Sequence, residues 1–204
     1  MKPVQEITLK LMEYRLQRKE REKDPFVYYV TDLVRCSMKR ELEINIPEIR
    51  ILNLLKFNSA FIGELVHIGM EKLLKDLYGD EVQIETENLD ASKDIYIDKK
   101  KYTVKGRIDA IMNGSTGIEI KLVLANTELP YEHHIDQARI YNWLYGLKRT
   151  ILLYIQPTRL VEFEVVDSAS DDEILHRIRE FQAPRYTWEC KYCEYKHLCP
   201  YYKL

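Results

Sequence analysis

Two groups of side chains in this sequence have the types and spacing for chemistry. The first is a cysteine quartet: Cys190, Cys193 and Cys199 form a C-x2-C-x5-C run near one end, and Cys36 stands alone near the other. The close pair can bind one centre from a single turn, and four thiolates suit either tetrahedral zinc or an iron-sulfur cluster. Cys36 can join that centre only if the two ends of the chain pack together. Disulfides are the weaker alternative, because they belong to short secreted chains and no signal peptide is expected here.

The second group lies mid-chain. Gly106-Arg107-Ile108-Asp109 is followed by an Asn113-Gly114 turn signal and then by Glu119-Ile120-Lys121. A hairpin at that turn brings the acids together. Glu119 and Lys121, two apart on a strand, share a face opposite Ile118, Ile120 and Leu122. Such a face is either a solvated ion-pair surface, worth little, or a site where Asp109 and Glu119 hold a hard divalent cation and Lys121 orients an attacking water. His67, with Gly63 one turn before it and Met70 and Leu74 after it, can face inward and add an imidazole, giving a mixed N/O site for Mn or Mg. Gln137 and Tyr141, four apart, share one helix face, where an amide and a phenol can bind a phosphate backbone or position a catalytic side chain.

The elements that must position these residues follow from hydrophobic period. Ile7, Leu11, Met12 and Leu16 predict an amphipathic helix over 5–22. A second helix opens at Thr31-Asp32 and runs through Val34, Met38 and Leu42, with Cys36 in its first turns. A third spans 59–78, with Ile62, Leu65, Val66, Leu73 and Leu77 as its apolar stripe. The period then changes to two, predicting strands at 82–87, 94–98, 101–112 and 116–124. A helix over 132–147, strands at 150–156 and 160–166, and a helix opening near Ser170 and ending before Pro184 come next, followed by a cysteine-bearing loop and short helix. This order predicts a mixed α+β fold, a mixed β-sheet flanked by helices.

Composition bounds the class. The chain has 204 residues and no repeat or linker, so one domain is expected. No run approaches the ~20 apolar residues of a membrane span, which makes the cytoplasm the default compartment. With 31 basic against 33 acidic side chains, bulk charge does not announce a nucleic-acid partner, and attraction to phosphate must be local. Lys105 and Arg107 are the candidate cations. The basic run Arg15, Arg18, Lys19, Arg21 and Lys23 is diluted by acids and reads as a solvated helix face. Frequent Lys, Glu and Ile with sparse Asn and Gln is a bias of proteins from hot environments.

Gly63-x3-His67, Gly106-Arg107-Ile108-Asp109, Glu119-Ile120-Lys121 and Gln137-x3-Tyr141, in that order and bracketed by Cys36 and the C-x2-C-x5-C run, resemble the RecB-like nucleases of the PD-(D/E)xK superfamily. More narrowly, the chain resembles the CRISPR-associated Cas protein four family. The resemblance implies a restriction-endonuclease-like core over 59–166, and an iron-sulfur subdomain formed by the N-terminal helices and C-terminal tail, 25–58 with 184–204. It implies His67, Asp109, Glu119 and the Ile120 backbone carbonyl as ligands of Mn2+ or Mg2+, with Lys121, Glu119 and Asp109 catalytic. Gln137 and Tyr141 become the positioning motif, and Cys36, Cys190, Cys193 and Cys199 the ligands of a cluster, 4Fe-4S in preference to 2Fe-2S. His133 and His134 match no family motif and read as groove or surface residues. The implied activity is a metal-dependent DNA exonuclease, 5'-to-3' on single strands or overhangs, with endonuclease activity in some members. Its expected setting is thermophilic archaeal CRISPR adaptation, where it processes spacer precursors beside the integrase proteins, and self-association is compatible with it. The alternative is a non-catalytic DNA-end recognition or assembly module.

Overall fold

A computed structural model of the chain describes residues 5–17, 23–54 and 59–203. The elements run α1 (Glu6–Gln17), β1 (Val27–Tyr29), α2 (Val30–Leu33), α3 (Ser37–Asn45), α4 (Pro47–Leu54), α5 (Ser59–Tyr78), β2 (Val82–Ile84), β3 (Asp90–Ile97), β4 (Lys100–Arg107), β5 (Ala110–Met112) and β6 (Thr116–Leu122). They continue with α6 (Glu132–Tyr145), β7 (Arg149–Gln156), β8 (Arg159–Val165), α7 (Asp171–Arg179) and α8 (Glu189–Tyr192).

Five strands form a mixed sheet in the order β2-β5-β6-β7-β8, with β6 and β7 parallel and the other pairs antiparallel. Beside it lies a smaller sheet, β1-β4-β3. Period-two alternation on β6 sends its side chains to opposite layers. Ile118 and Ile120 pack with Val82, Leu153, and Met70 and Leu74 of α5. Leu152 and Tyr154 of β7 pack instead with Ala138 of α6. The central strand is thus sandwiched between α5 and α6, and no position of its Glu119–Lys121 segment forms an open surface.

Several expectations need correction. The predicted strand 101–112 is two strands in different sheets, broken at Ile108 and Asp109. Two tyrosines of α6 hold the break. Tyr145 OH accepts from the Ile108 amide and donates to the Gly106 carbonyl, and Tyr141 OH donates to the Arg107 carbonyl at 2.9 Å. The predicted helix through Cys36 is also two helices. Cys36 takes an extended conformation as the N-cap of α3, because its amide donates to Glu189 Oε1 at 2.7 Å and the Ser37 amide donates to the Gln182 carbonyl. Contacts from the far end of the chain therefore set that break.

The apolar stripe assigned to α5 faces outward: Ile62, Leu65, Leu73 and Leu77 are exposed. Its inward face is the one carrying His67, Met70, Glu71 and Leu74, which fits the placing of His67 beside Met70 and Leu74. On α1, Ile7, Leu11 and Leu16 are likewise exposed, and residues 18–22 of the predicted helix lie outside the described residues. So do 55–58 of the segment assigned to the cysteine subdomain. Strand β1 and helix α4 were not expected. The other helices and strands agree with expectation to within a few residues, including the stop of α6 at Gly146, whose φ of +67° is a left-handed cap.

Candidate active site and cysteine cavity

The break between β4 and β5 turns Asp109 into the gap between α5 and β6. Its Oδ1 lies 3.2 Å from His67 Nδ1 and its Oδ2 accepts from the Ile120 amide at 2.6 Å, so the carboxylate is pinned from both sides. Glu71, one turn beyond His67, completes a trio with Asp109 in which one ligand-type atom from each residue lies within 4.8 Å of the others. Glu71 carries no sequence motif and is not among the predicted ligands. The available signal was an acid at i+4 from His67 on the same face as the buried Leu74.

Glu119 and Lys121 point to the α6 side. Lys121 Nζ donates to Glu119 Oε1 at 2.7 Å and to Gln137 Oε1 at 2.8 Å, while Gln137 Nε2 donates to Glu119 Oε1 at 2.8 Å and to Tyr141 OH at 3.3 Å. Two hydrogen-bonded groups result, His67 with Asp109 and Glu119 with Lys121, Gln137 and Tyr141, and they are close enough for the Asp109 and His67 charges to act on Glu119. Of the predicted ligands, Glu119 stands outside the trio whose ligand-type atoms lie within 4.8 Å of one another. Ile120 contributes its amide to Asp109, and its side chain is fully buried.

Electrostatics set this region apart. Burial, reinforced by the Asp109 carboxylate, pushes Glu119 up to about 7. Burial, with Glu85 and Asp109 nearby, takes Glu71 to about 7 as well. Burial alone would lower the His67 imidazole, but its hydrogen bond to Asp109 and that acid's charge outweigh it and raise the pKa. Burial drives the Tyr141 phenol well above its usual range, which keeps it neutral as a donor. Among the described residues Glu119 Oε2 is buried with no hydrogen-bond partner. Crowded acids with an orphaned carboxylate oxygen are short of one positive charge, and an imidazole beside carboxylates suits Mn or Mg.

Lys105 and Arg107 line, together with Tyr141, a cavity of about 290 Å3. Arg107 is held by carboxylates, its Nε and Nη2 on Asp90 and its Nη1 on Glu85. That makes it a brace across the two sheets more than a free phosphate contact.

All four cysteines line a single cavity of about 210 Å3. Cys36 and Cys190 are buried. Burial pushes the Cys36 thiol up, while the Lys39 and Met38 amides at the start of α3 oppose that rise by donating to its sulfur. The clasp between the ends is reinforced by Glu189, which accepts from the Cys36, Arg185 and Tyr186 amides, and by the Lys39–Glu194 ion pair at 2.9 Å.

No family model matches the chain. The CRISPR-associated exonuclease Cas4 of Saccharolobus solfataricus is 34% identical to it over 203 residues, spanning 93% of this chain and 98% of that protein. The crystal structure of SSO0001 aligns with a TM-score of 0.86 at 33% identity, covering 100% of this chain and 99% of that one. An alkaline exonuclease from Laribacter hongkongensis gives only 0.43 at 13% identity, over 85% and 90% of the two chains, too slight a likeness to argue from.

Proposed function

Because the chain belongs to the family of CRISPR-associated Cas4 exonucleases and has a RecB-like fold, we propose that it is a metal-dependent nuclease that degrades single-stranded DNA from the 5' end and trims spacer precursors in CRISPR adaptation. The observation that carries this reading is the convergence of His67, Glu71 and Asp109 beside the buried Glu119–Lys121–Gln137 network.

His67, Asp109, Glu119 and the Ile120 carbonyl would hold Mn2+ or Mg2+, with Glu71 as a further ligand or as the group that orients one. A cation bound there would supply polarisation of the scissile phosphate and a water of lowered pKa. The protein's own residues do the rest. Glu119 Oε1 is taken up by Lys121 and Gln137, which leaves the partnerless Oε2 for the ion. An ammonium has three N–H donors, and Lys121 uses two of them on Glu119 and Gln137, leaving one for a water or a phosphate oxygen. Gln137 spends its carbonyl on Lys121 and its amide on Glu119 and Tyr141, so it positions and does not react. Endonuclease cleavage would need only that the same centre admit a strand without an end.

The cysteines are read as holding an iron-sulfur cluster, 4Fe-4S in preference to 2Fe-2S, that fastens 25–58 to 184–204 over the nuclease core at 59–166. All four thiols line one cavity, so one centre can take all four; four thiolates suit a cluster or zinc alike, and the choice of a cluster rests on membership of the family. In this reading the partners are DNA with single-stranded ends and the integrase proteins of adaptation. Among the described residues, no helix is long and apolar enough to cross a membrane.

The test is a time course on single strands labelled at the 5' or the 3' end, with anaerobically purified protein and Mn2+. Early release of short labelled products from the 5' label supports the proposed polarity. Release from the 3' label reverses it, and binding without cleavage leaves the end-recognition module.

A further inference from the structure

The largest cavity described lies next to the catalytic region, and neither the nuclease motifs nor the cysteines account for it. It measures about 790 Å3, the size of a pocket for a drug-sized ligand. One wall is Leu122, the last residue of β6, and Val123 just after it, which directly follow Lys121 in the chain. Another is the start of α6, where His133 stands one turn before Gln137, and a third is the tail around Tyr186 and Trp188.

Four rings line this cavity as two stacked pairs that meet at a tilt of 48° between His133 and Trp188. Tyr131 and His133 stack with centroids 5.6 Å apart and planes at 12°. Tyr186 and Trp188 stack at 6.0 Å and 14°. His133 lies 4.9 Å from Trp188 and joins the two pairs across the gap between α6 and the tail. Trp188 is 45% exposed, and Tyr131, His133 and Tyr186 are half-buried. This surface is also nearly uncharged: burial lowers His133 to about 4 and His134 to about 2, so both are neutral at pH 7. The cation Arg185 is offset by Glu132 and has its Nε and Nη1 on the Arg35 carbonyl and Gln182.

A neutral, partly exposed aromatic surface beside a phosphate-cleaving lysine suits a ligand that offers π-faces as well as phosphates. Bases paired and stacked in a duplex do not offer those faces, whereas bases of a single strand do. The geometry points to this surface, Tyr131, His133, Tyr186 and Trp188, as the stacking platform that receives unstacked bases of the strand whose backbone passes Lys121. This rests on the nuclease reading and deepens it by placing the single-strand preference in named residues. It also gives the cysteine cavity a role in substrate binding, because Trp188 and Tyr192 line both cavities and Trp188 stands two residues before Cys190.

Trp188 reports on itself. The chain has two tryptophans, so Trp143→Phe leaves Trp188 as the sole indole. In EDTA, titration with oligo(dT) should quench its emission, and a strand of equal length with abasic sugars should not. Anisotropy of labelled oligo(dT) should show about tenfold weaker binding for Trp188→Ala, with most of it restored in Trp188→Phe and the abasic strand bound equally by all. His133→Ala, on α6 and away from the cysteine tail, should show the same base-dependent loss. Equal quenching by both strands, or oligo(dT) affinity unchanged in both alanine variants, overturns the platform. Cleavage by the wild type in Mn2+ separates the two ideas. Cleavage without base-dependent quenching removes the platform alone, and quenching without cleavage removes the nuclease reading and leaves the platform standing.

Discussion

Glu119 makes the metal-free protein pH-sensitive in a direction opposite to ordinary acid denaturation. Its carboxyl is held near 7 in the fold against 4.5 for an unconstrained glutamate, chiefly by burial. Between those values the native state binds a proton that the unfolded state has released, so stability falls as pH rises. At ~1.4 kcal/mol per pH unit, the loss between pH 4.5 and 7 is about 3 kcal/mol from this residue. Glu71, also near 7, and His67, whose raised pKa loses stability as pH climbs through it, act in the same direction. Over the window from pH 5.5 to pH 8 Glu119 accounts for about 2 kcal/mol, which for a chain of this size corresponds to about 4–8 °C in Tm. Thermal melts in EDTA, under anaerobic conditions, should therefore show a lower Tm at pH 8 than at pH 5.5. Mn2+ should restore the difference at pH 8 and do little at pH 5.5, and Glu119→Gln should flatten much of the EDTA profile. A metal-free Tm that rises from pH 5.5 to 8, or a Glu119→Gln profile identical to wild type, would refute the crowding of acids on which the metal site rests.

Other perturbations follow from packing and ligation. At Gly106 an added Cβ would lie 2.7 Å from Leu144 Cδ2 and 2.8 Å from Val30 Cγ2, so Gly106→Ala should cost about 1–3 kcal/mol, read as a fall in denaturation midpoint. Cys36→Ser should lower iron content and Tm together, and unchanged values of both would remove the clasp between the chain ends. Gln137→Leu takes one acceptor from Lys121 and one donor from Glu119, and should lower kcat with little change in KM under steady-state cleavage of single strands.

Much of the site was legible because its spacing is local. The Asn113-Gly114 turn closes β5 on β6 and opposes Ala110 to Ile118, which leaves Asp109 within reach of the Ile120 amide. What was not legible depends on distant partners. Nothing between 101 and 112 marks a strand break, because the groups that hold it are the hydroxyls of Tyr141 and Tyr145, far along the chain. The break at Cys36 is likewise made by Glu189 and Gln182. On α5 hydrophobic count pointed to the wrong face. The buried side is the one carrying an imidazole and an acid, and polar groups at such positions are a mark of function, which is also why Glu71 was passed over. The neutral ring surface at His133 and Trp188 joins two segments more than fifty residues apart, a pairing no periodicity reports.

The measurement closest to the central claim is degradation of end-labelled single-stranded DNA by anaerobically purified protein, with Mn2+ or with EDTA, beside Lys121→Ala and Asp109→Ala. Wild type with Mn2+ should shorten the strand, and EDTA or either substitution should abolish shortening while the metal content of the cysteine site stays that of the wild type. Shortening that persists in EDTA, or in Lys121→Ala and Asp109→Ala, would contradict the assignment of this site as the nuclease centre.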